Sequence, residues 1–172
     1  HVSSRRQRQM CIRDSFTGDR SADFLFSCLY KTGFASQPDS VNRNDGLKLY
    51  NMYLTTALKC VPPEDKPTSK ELKTCFNFFN QEINHLKKIT TIVALGKIGH
   101  DACVNYYKQH YEIKNKDFIF SHGSTNILPD KKILIGSYHP SPRNVNTGRI
   151  DQNKMLKFCL LYTSDAADDS IR

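Results

Sequence analysis

Two short apolar runs, Thr91-Ile92-Val93-Ala94-Leu95 and Ile133-Leu134-Ile135, constrain this chain more than any other feature. Both are bounded by glycine or polar residues, and both have the length of a strand rather than of a core helix. Segments of helical period lie around them. Ser21 to Lys31 carries apolar residues on one face and stops before Gly33; Ser21 is its cap candidate. Thr68-Ser69-Lys70-Glu71 reads as a capping box ahead of an amphipathic helix running to about Leu86. Gly96 leads into a helix from Ile98 to about His110, and a last helix starts over Asp151 to Phe158. Thr90 to Leu95 is predicted as a buried strand and Lys131 to Tyr138 as another. Two weaker strands are predicted at Met52 to Leu58 and Asp117 to Phe120, and Val41 to Leu49 is loop-like. Helices that alternate with strands predict a mostly parallel central sheet covered on both faces, an α/β domain of three layers.

The two ends are set aside from that reading. His1 to Ser15 and Cys159 to Arg172 read as translated sequencing-library adaptor, leaving a native domain over Phe16 to Phe158. The alternative is a natural basic tail and a natural acidic one. The chain has 25 Lys+Arg against 17 Asp+Glu; without the two ends, 20 basic and 13 acidic residues remain. That surplus favours a polyanionic partner without requiring one. No apolar run approaches the ~20 residues of a membrane span, and no signal peptide is visible. Cys28, Cys60, Cys75 and Cys103 are then not a disulfide framework. Cys28 and Cys103 sit in apolar helical patterns and read as small buried hydrophobes.

Chemistry concentrates in the loops. In an α/β sheet, the loops beyond the carboxyl ends of the strands usually carry the site. Three polar blocks are expected at such ends, after Leu58, after Phe120 and after Tyr138. The last is the richest: Ser137-Tyr138-His139-Pro140-Ser141-Pro142-Arg143-Asn144-Val145-Asn146-Thr147-Gly148-Arg149. An imidazole, amides and a guanidinium with no carboxylate among them suit an anion. A fourth block, Phe16-Thr17-Gly18-Asp19-Arg20-Ser21, precedes the first helix.

Taken in order with Lys59-Cys60-Val61-Pro62-Pro63, Val93-Ala94-Leu95-Gly96 and Phe120-Ser121-His122-Gly123, these blocks resemble the iron–sulfur uracil-DNA glycosylases, most closely family 5. The resemblance covers Phe16 to Phe158. It implies a three-layer α/β/α fold, a [4Fe–4S] cluster and hydrolytic removal of deaminated bases from DNA, with no lyase lysine. A glycosylase extrudes the base from the stack. Breaking the N-glycosidic bond leaves positive charge on the sugar and negative charge on the base, and preorganised groups stabilise both.

On that resemblance Asp19 is the water-activating carboxylate; by its position alone it is equally an N-cap. Asp23, one turn on, reads as a first-turn helix acid. Phe16 stacks on the extruded base or packs in the core. On the same resemblance His139 contacts the base oxygen and stabilises the leaving anion; a lone loop histidine is otherwise more often structural. His122 lines the base pocket or is a turn histidine. Ser141, Asn144, Asn146, Thr147, Gly148 and Arg149 form the loop that enters DNA and holds phosphates. Thr56 stands where family 4 has an asparagine, and a hydroxyl reads a base edge less selectively than an amide. A range wider than uracil, including hypoxanthine or xanthine, is therefore expected. Asp65 stands where many relatives have asparagine, which leaves any amide role there open.

The resemblance makes Cys60 and Cys75 two of the four cluster thiolates. The other two are expected upstream, where Cys11 does not substitute, so a cluster is expected to load poorly here and activity to be weak. DNA with deaminated bases is the expected partner, and the protein is expected to be a cytoplasmic, nucleoid-associated monomer with no membrane contact. A non-catalytic nucleic-acid-binding module of the same fold is the competing reading. A small-molecule α/β hydrolase is disfavoured, because the chain has no Gly-x-Ser-x-Gly elbow, no P-loop and no His-rich zinc box.

Overall fold

The computed structural model describes residues 20–42, 44–59 and 67–161. They divide into two compact units. The first holds Thr55–Tyr138; the second holds the described residues up to Leu54 and those from His139 onward.

The first unit is built on a sheet of three strands in the order β1-β3-β2, where β1 is Thr91–Leu95, β2 is Thr125–Ile127 and β3 is Ile133–Ser137. β1 and β3 are parallel, in register from Thr91 opposite Ile133 to Leu95 opposite Ser137. β2 and β3 form an antiparallel hairpin. The described sheet is thus small and mixed, its longer pairing parallel, consistent with the expected α/β fold. The hairpin turn is closed by Lys131 N donating to the Leu128 carbonyl at 2.9 Å, with Lys131 at φ +68°. Pro129-Asp130 ahead of β3 supplies the turn chemistry.

Among the described residues two helices lie in this unit, α2 (Ser69–His85) and α3 (Lys97–His110). The capping box at Thr68 is formed as expected: the Thr68 hydroxyl accepts from Glu71 N, and Glu71 reaches back to Thr68 N. α3 packs on β1 and β3, and α2 packs against α3. Phe79 of α2, Ala102, Cys103, Val104 and Tyr107 of α3, Ala94, Leu134 and Leu128 make one buried cluster. Tyr107 is buried on the α3 side, and its hydroxyl donates to Asp130 Oδ2 at 2.9 Å. Asp130 also pairs with Lys132, so one network ties α3 to the β2–β3 turn. Burial pushes the Cys103 thiol up to about 12, as a small hydrophobe inside this core would be.

Three strand expectations need correction. Met52 to Leu58 is irregular and crosses the junction of the two units, so no ladder forms along it. Asp117 to Phe120 is not a strand either; a 3-10 turn occupies Asn115–Asp117, and the pairing comes later, at β2. β1 is half-buried, not buried: it lies at the edge of the described sheet, and Val93, on the face opposite Ala94, is 44% exposed. Of the three polar blocks, then, only the one after Tyr138 follows a strand exit.

The second unit holds α1 (Arg20–Lys31), α4 (Pro142–Asn146) and α5 (Gln152–Leu161). α1 begins one residue before Ser21, so Ser21 is inside the helix rather than its cap, and Asp23 is a first-turn acid as expected. α1 packs on α5, and Gln152 Nε2 donates to Ser27 Oγ at 3.1 Å between them. Ala22, Leu25, Phe26, Cys28 and Leu29 of α1 are buried, as are Ile150, Met155 and Phe158. The Cys28 thiol is fully buried and raised by that burial. α5 continues past Phe158 to Leu161.

Candidate functional site

In the first unit, the candidate residues gather where the Phe-Ser-His-Gly block touches β3. Gly123 N donates to the Gly136 carbonyl and Gly136 N to the Ser124 carbonyl, both at 2.8 Å. A Cβ at Gly136 would lie 2.5 Å from Ser124 Oγ, 2.6 Å from the Ser121 carbonyl oxygen and 3.2 Å from Phe120. Glycine is what lets the loop come so close to the strand. Ser124 Oγ closes the loop on the Ser121 carbonyl at 2.8 Å, and Gly123 turns it at φ +78°.

His122, at the head of this loop, is oriented from two sides. Its ring stacks on Tyr138, centroids 5.2 Å apart and planes 10° from parallel. Tyr138 N donates to His122 Nδ1 at 3.3 Å, with Ser137 Oγ 3.4 Å from the same nitrogen. A nitrogen that accepts a backbone N–H carries no proton itself, so a neutral ring in this seat would hold its proton on Nε2. His122 is thereby an oriented N–H donor. Tyr138 is the partner that sequence reasoning missed. Two residues ahead of it, Gly136 inside a strand was the available signal, because such a glycine often marks a close backbone approach.

Thr56 is half-buried in the irregular segment before Lys59. Its neighbour Thr55 donates to Glu82 of α2, and Lys59 Nζ reaches Glu82 Oε2 at 2.6 Å and Thr55 Oγ1 at 2.7 Å. Side-chain anchoring to α2, not a strand ladder, holds Thr56 in place. Cys75 is a free thiol on the buried face of the same helix, 8% exposed. Cys60 and Asp65 fall outside the described residues. A four-iron cluster takes four thiolates. Among the described residues no three potential metal ligands group together, and Cys75 alone does not fit such a cluster.

In the second unit the loop after His139 builds itself. Ser141 is the N-cap of α4, its Oγ accepting from Asn144 N at 3.4 Å, and Pro142 fills the first helical position. Asn144 Nδ2 donates back to the His139 carbonyl at 2.8 Å, which fixes the backbone from which the exposed His139 ring projects. Thr147 Oγ1 donates to the Arg143 carbonyl at 2.8 Å. The short helix ends at Gly148, φ +68°, with Gly148 N on the Val145 carbonyl at 3.0 Å. Lys154 Nζ donates to the Gly148 carbonyl at 2.8 Å, a brace no motif predicts. Buried Pro140 and Ile150 anchor the two ends. Three groups assigned to DNA, those of Ser141, Asn144 and Thr147, thus make bonds internal to the turn. Asn146, Thr147, Gly148 and Arg149 form its exposed tip. Asp151 follows, its carboxylate accepting from Lys154 N at 2.8 Å, and that backbone bond leads the lowering of its pKa.

Asp19 and Phe16 lie outside the described residues. The geometry therefore bears on the two histidines, on Thr56 and on the loop after Tyr138. An exposed imidazole on a braced turn, followed by amides and an arginine, can meet an anion. An oriented Nε2–H can donate to a carbonyl oxygen.

The family model of the uracil DNA glycosylase superfamily matches residues 12–162. Type-5 uracil-DNA glycosylase from Thermus thermophilus is 37% identical over 142 residues, 83% of this chain and 63% of that protein. The protein of the same name from Pyrobaculum aerophilum is 33% identical over 151 residues, 88% of this chain and 63% of that one. That of Mycobacterium tuberculosis is 35% identical over 136 residues, covering 78% and 50%. The chain thus spans between half and two thirds of the length of these relatives. With a match that runs through both units and both histidine loops, the chain belongs to the uracil DNA glycosylase superfamily.

Proposed function

We propose that this chain carries the base-removing chemistry of a DNA repair glycosylase, hydrolysing the N-glycosidic bond of uracil and of other deaminated bases in DNA. The observation that carries the reading is the loop after Tyr138: a strand exit, an exposed His139 with its backbone braced by Asn144, and a tip ending in Arg149, inside a superfamily match that spans the chain. The printed name of the relatives supports the substrate class.

In this reading His139 stabilises the departing base as it gains negative charge, and Asp19 activates the water that attacks the sugar. Phe16 stacks on the extruded base, worth ~1–3 kcal/mol. His122 donates to the base edge from Nε2. Thr56 leaves the pocket tolerant, so hypoxanthine and xanthine are substrates beside uracil. Ser141 and Asn144 build the loop; Asn146, Thr147, Gly148 and Arg149 meet the phosphates. Residues 16–158 carry the activity, and the protein acts as a monomer on chromosomal DNA in the cytoplasm. The cluster belongs to this reading only for a polypeptide in which two further thiolates join Cys60 and Cys75. Its role would be structural, and no step above passes through it.

The test is base release. The longest polypeptide carrying these residues is incubated with duplexes containing uracil or hypoxanthine, and abasic sites are then cleaved and counted. Abasic product from both is expected. DNA binding with no abasic product, in protein that carries its full complement of thiolate-bound iron, would establish the non-catalytic binding module instead.

A further inference from the structure

Four rings follow one another through the first unit. His100 of α3 meets Phe120 edge to face, at 5.4 Å and 61°. Phe120 meets Tyr138 in the same manner at 6.2 Å and 66°, and Tyr138 stacks on His122. All three spacings fall in the range where ring quadrupoles attract. The series begins deep in the unit, at a side chain 1% exposed, and ends at the candidate base-pocket donor.

The first ring is the unexpected one. Among the described residues neither nitrogen of His100 has a hydrogen-bond partner, and the nearest carboxylate oxygen, on Asp101, stands 3.8 Å from Nδ1. Burying an imidazole in this way costs free energy that an aliphatic side chain would not. Core filling therefore does not explain the residue, whereas a rigid flat ring behind Phe120 does. Leucine could fill the volume but would offer no edge to that ring. Phe120 is also one of the atoms' neighbours that keep residue 136 a glycine, so the ring series and the loop seat share a member.

We infer that His100 is a positioning residue for His122: its ring props Phe120, Phe120 holds Tyr138 against the His122 imidazole, and that stack sets where the Nε2–H donor points. The inference deepens the glycosylase reading and rests on it for the role of His122.

Nitrogen-15 spectra of the 172-residue chain, labelled at histidine, read the His122 tautomer without reference to activity. In the parent, Nε2 is expected to carry the proton and Nδ1 to appear as a bare acceptor. His100→Leu and Phe120→Leu are expected to mix the two tautomers, and His100→Phe to restore the single form. In base release by the longest polypeptide, the two leucine variants are expected to lose roughly tenfold in kcat with KM little changed, as small misplacement of a reacting group does. His100→Phe should be close to the parent in rate. An unchanged single tautomer in Phe120→Leu, in protein whose cooperative thermal unfolding shows that it is folded, overturns the inference. Failure of His100→Phe to restore the tautomer overturns it as well. If the parent releases no base at all, the glycosylase reading fails, while the tautomer still decides the link between His100 and His122.

Discussion

The loop around His122 is held from outside itself, and the loop after His139 is held from within. The first rests on Gly136, more than ten residues away in sequence, and on a ring contributed by the exit of β3. The second is made of bonds between residues three to six apart: Ser141 with Asn144, Asn144 with His139, Thr147 with Arg143, Lys154 with Gly148. The contrast separates two ways of presenting an imidazole. A tertiary seat gives a fixed direction and fails with the core beneath it. A local turn gives a defined backbone from which an exposed residue is presented. Damage to the seat should therefore appear first as lost stability. Damage to the turn should appear first as lost rate.

The largest effect is expected at Gly136→Ala. The added Cβ meets the Ser121 carbonyl, which is backbone and cannot step aside as a flexible side chain would. A loss of about 3 kcal/mol in denaturant unfolding is expected. A loss below ~0.5 kcal/mol, the ordinary scatter of surface changes, would mean the loop does not sit on β3 as described.

Asp130→Asn comes next, because it removes the charge at the centre of the Tyr107–Asp130–Lys132 network. Burial alone would raise the Asp130 pKa, but hydrogen bonds from Lys132 and Tyr107 more than offset it and hold it below the usual carboxylate value. A depressed folded value contributes stability above the unfolded value, near pH ~4, and loses it as pH falls through the folded one. The substitution should cost about 1–2 kcal/mol at neutral pH. It should also flatten the acid limb of stability against pH. Equal acid limbs in parent and variant would remove Asp130 from the account.

Asn144→Ala should be mildest in stability, about 1 kcal/mol for one exposed amide–carbonyl bond. Its effect on base release should be larger in proportion, several-fold in rate, since the brace on the His139 backbone is gone. A variant that loses stability but no rate would reverse the comparison between the two loops.

The sequence made the helices legible because their ends carry chemistry. Thr68 and Glu71 cap α2, Gly96 opens α3, and Gly33 follows α1 at φ +80°. β1 and β3 were legible as apolar runs. Met52 to Leu58 was misread because strand-forming side chains do not make a strand without a partner, and Thr55 and Lys59 bond to Glu82 instead. β2 was missed because Thr-Asn-Ile is short and polar, and only its pairing with β3 makes it a strand. The candidate site divides the same way. His139, Ser141 and Asn144 lie close in sequence, so their turn could be read from the motif. The stack of His122 on Tyr138 depends on how a loop lands on Gly136, which no local pattern reports.

The most direct measurement is single-turnover release of uracil by His139→Ala beside the parent, with DNA binding measured on the same samples. The parent is expected to release base, and the variant to bind DNA equally while its rate falls roughly 10²–10³-fold, as when one preorganised donor to a developing anion is removed. A variant that releases uracil at the parental rate would contradict the account, because the loop after β3 would then bind DNA without touching the base.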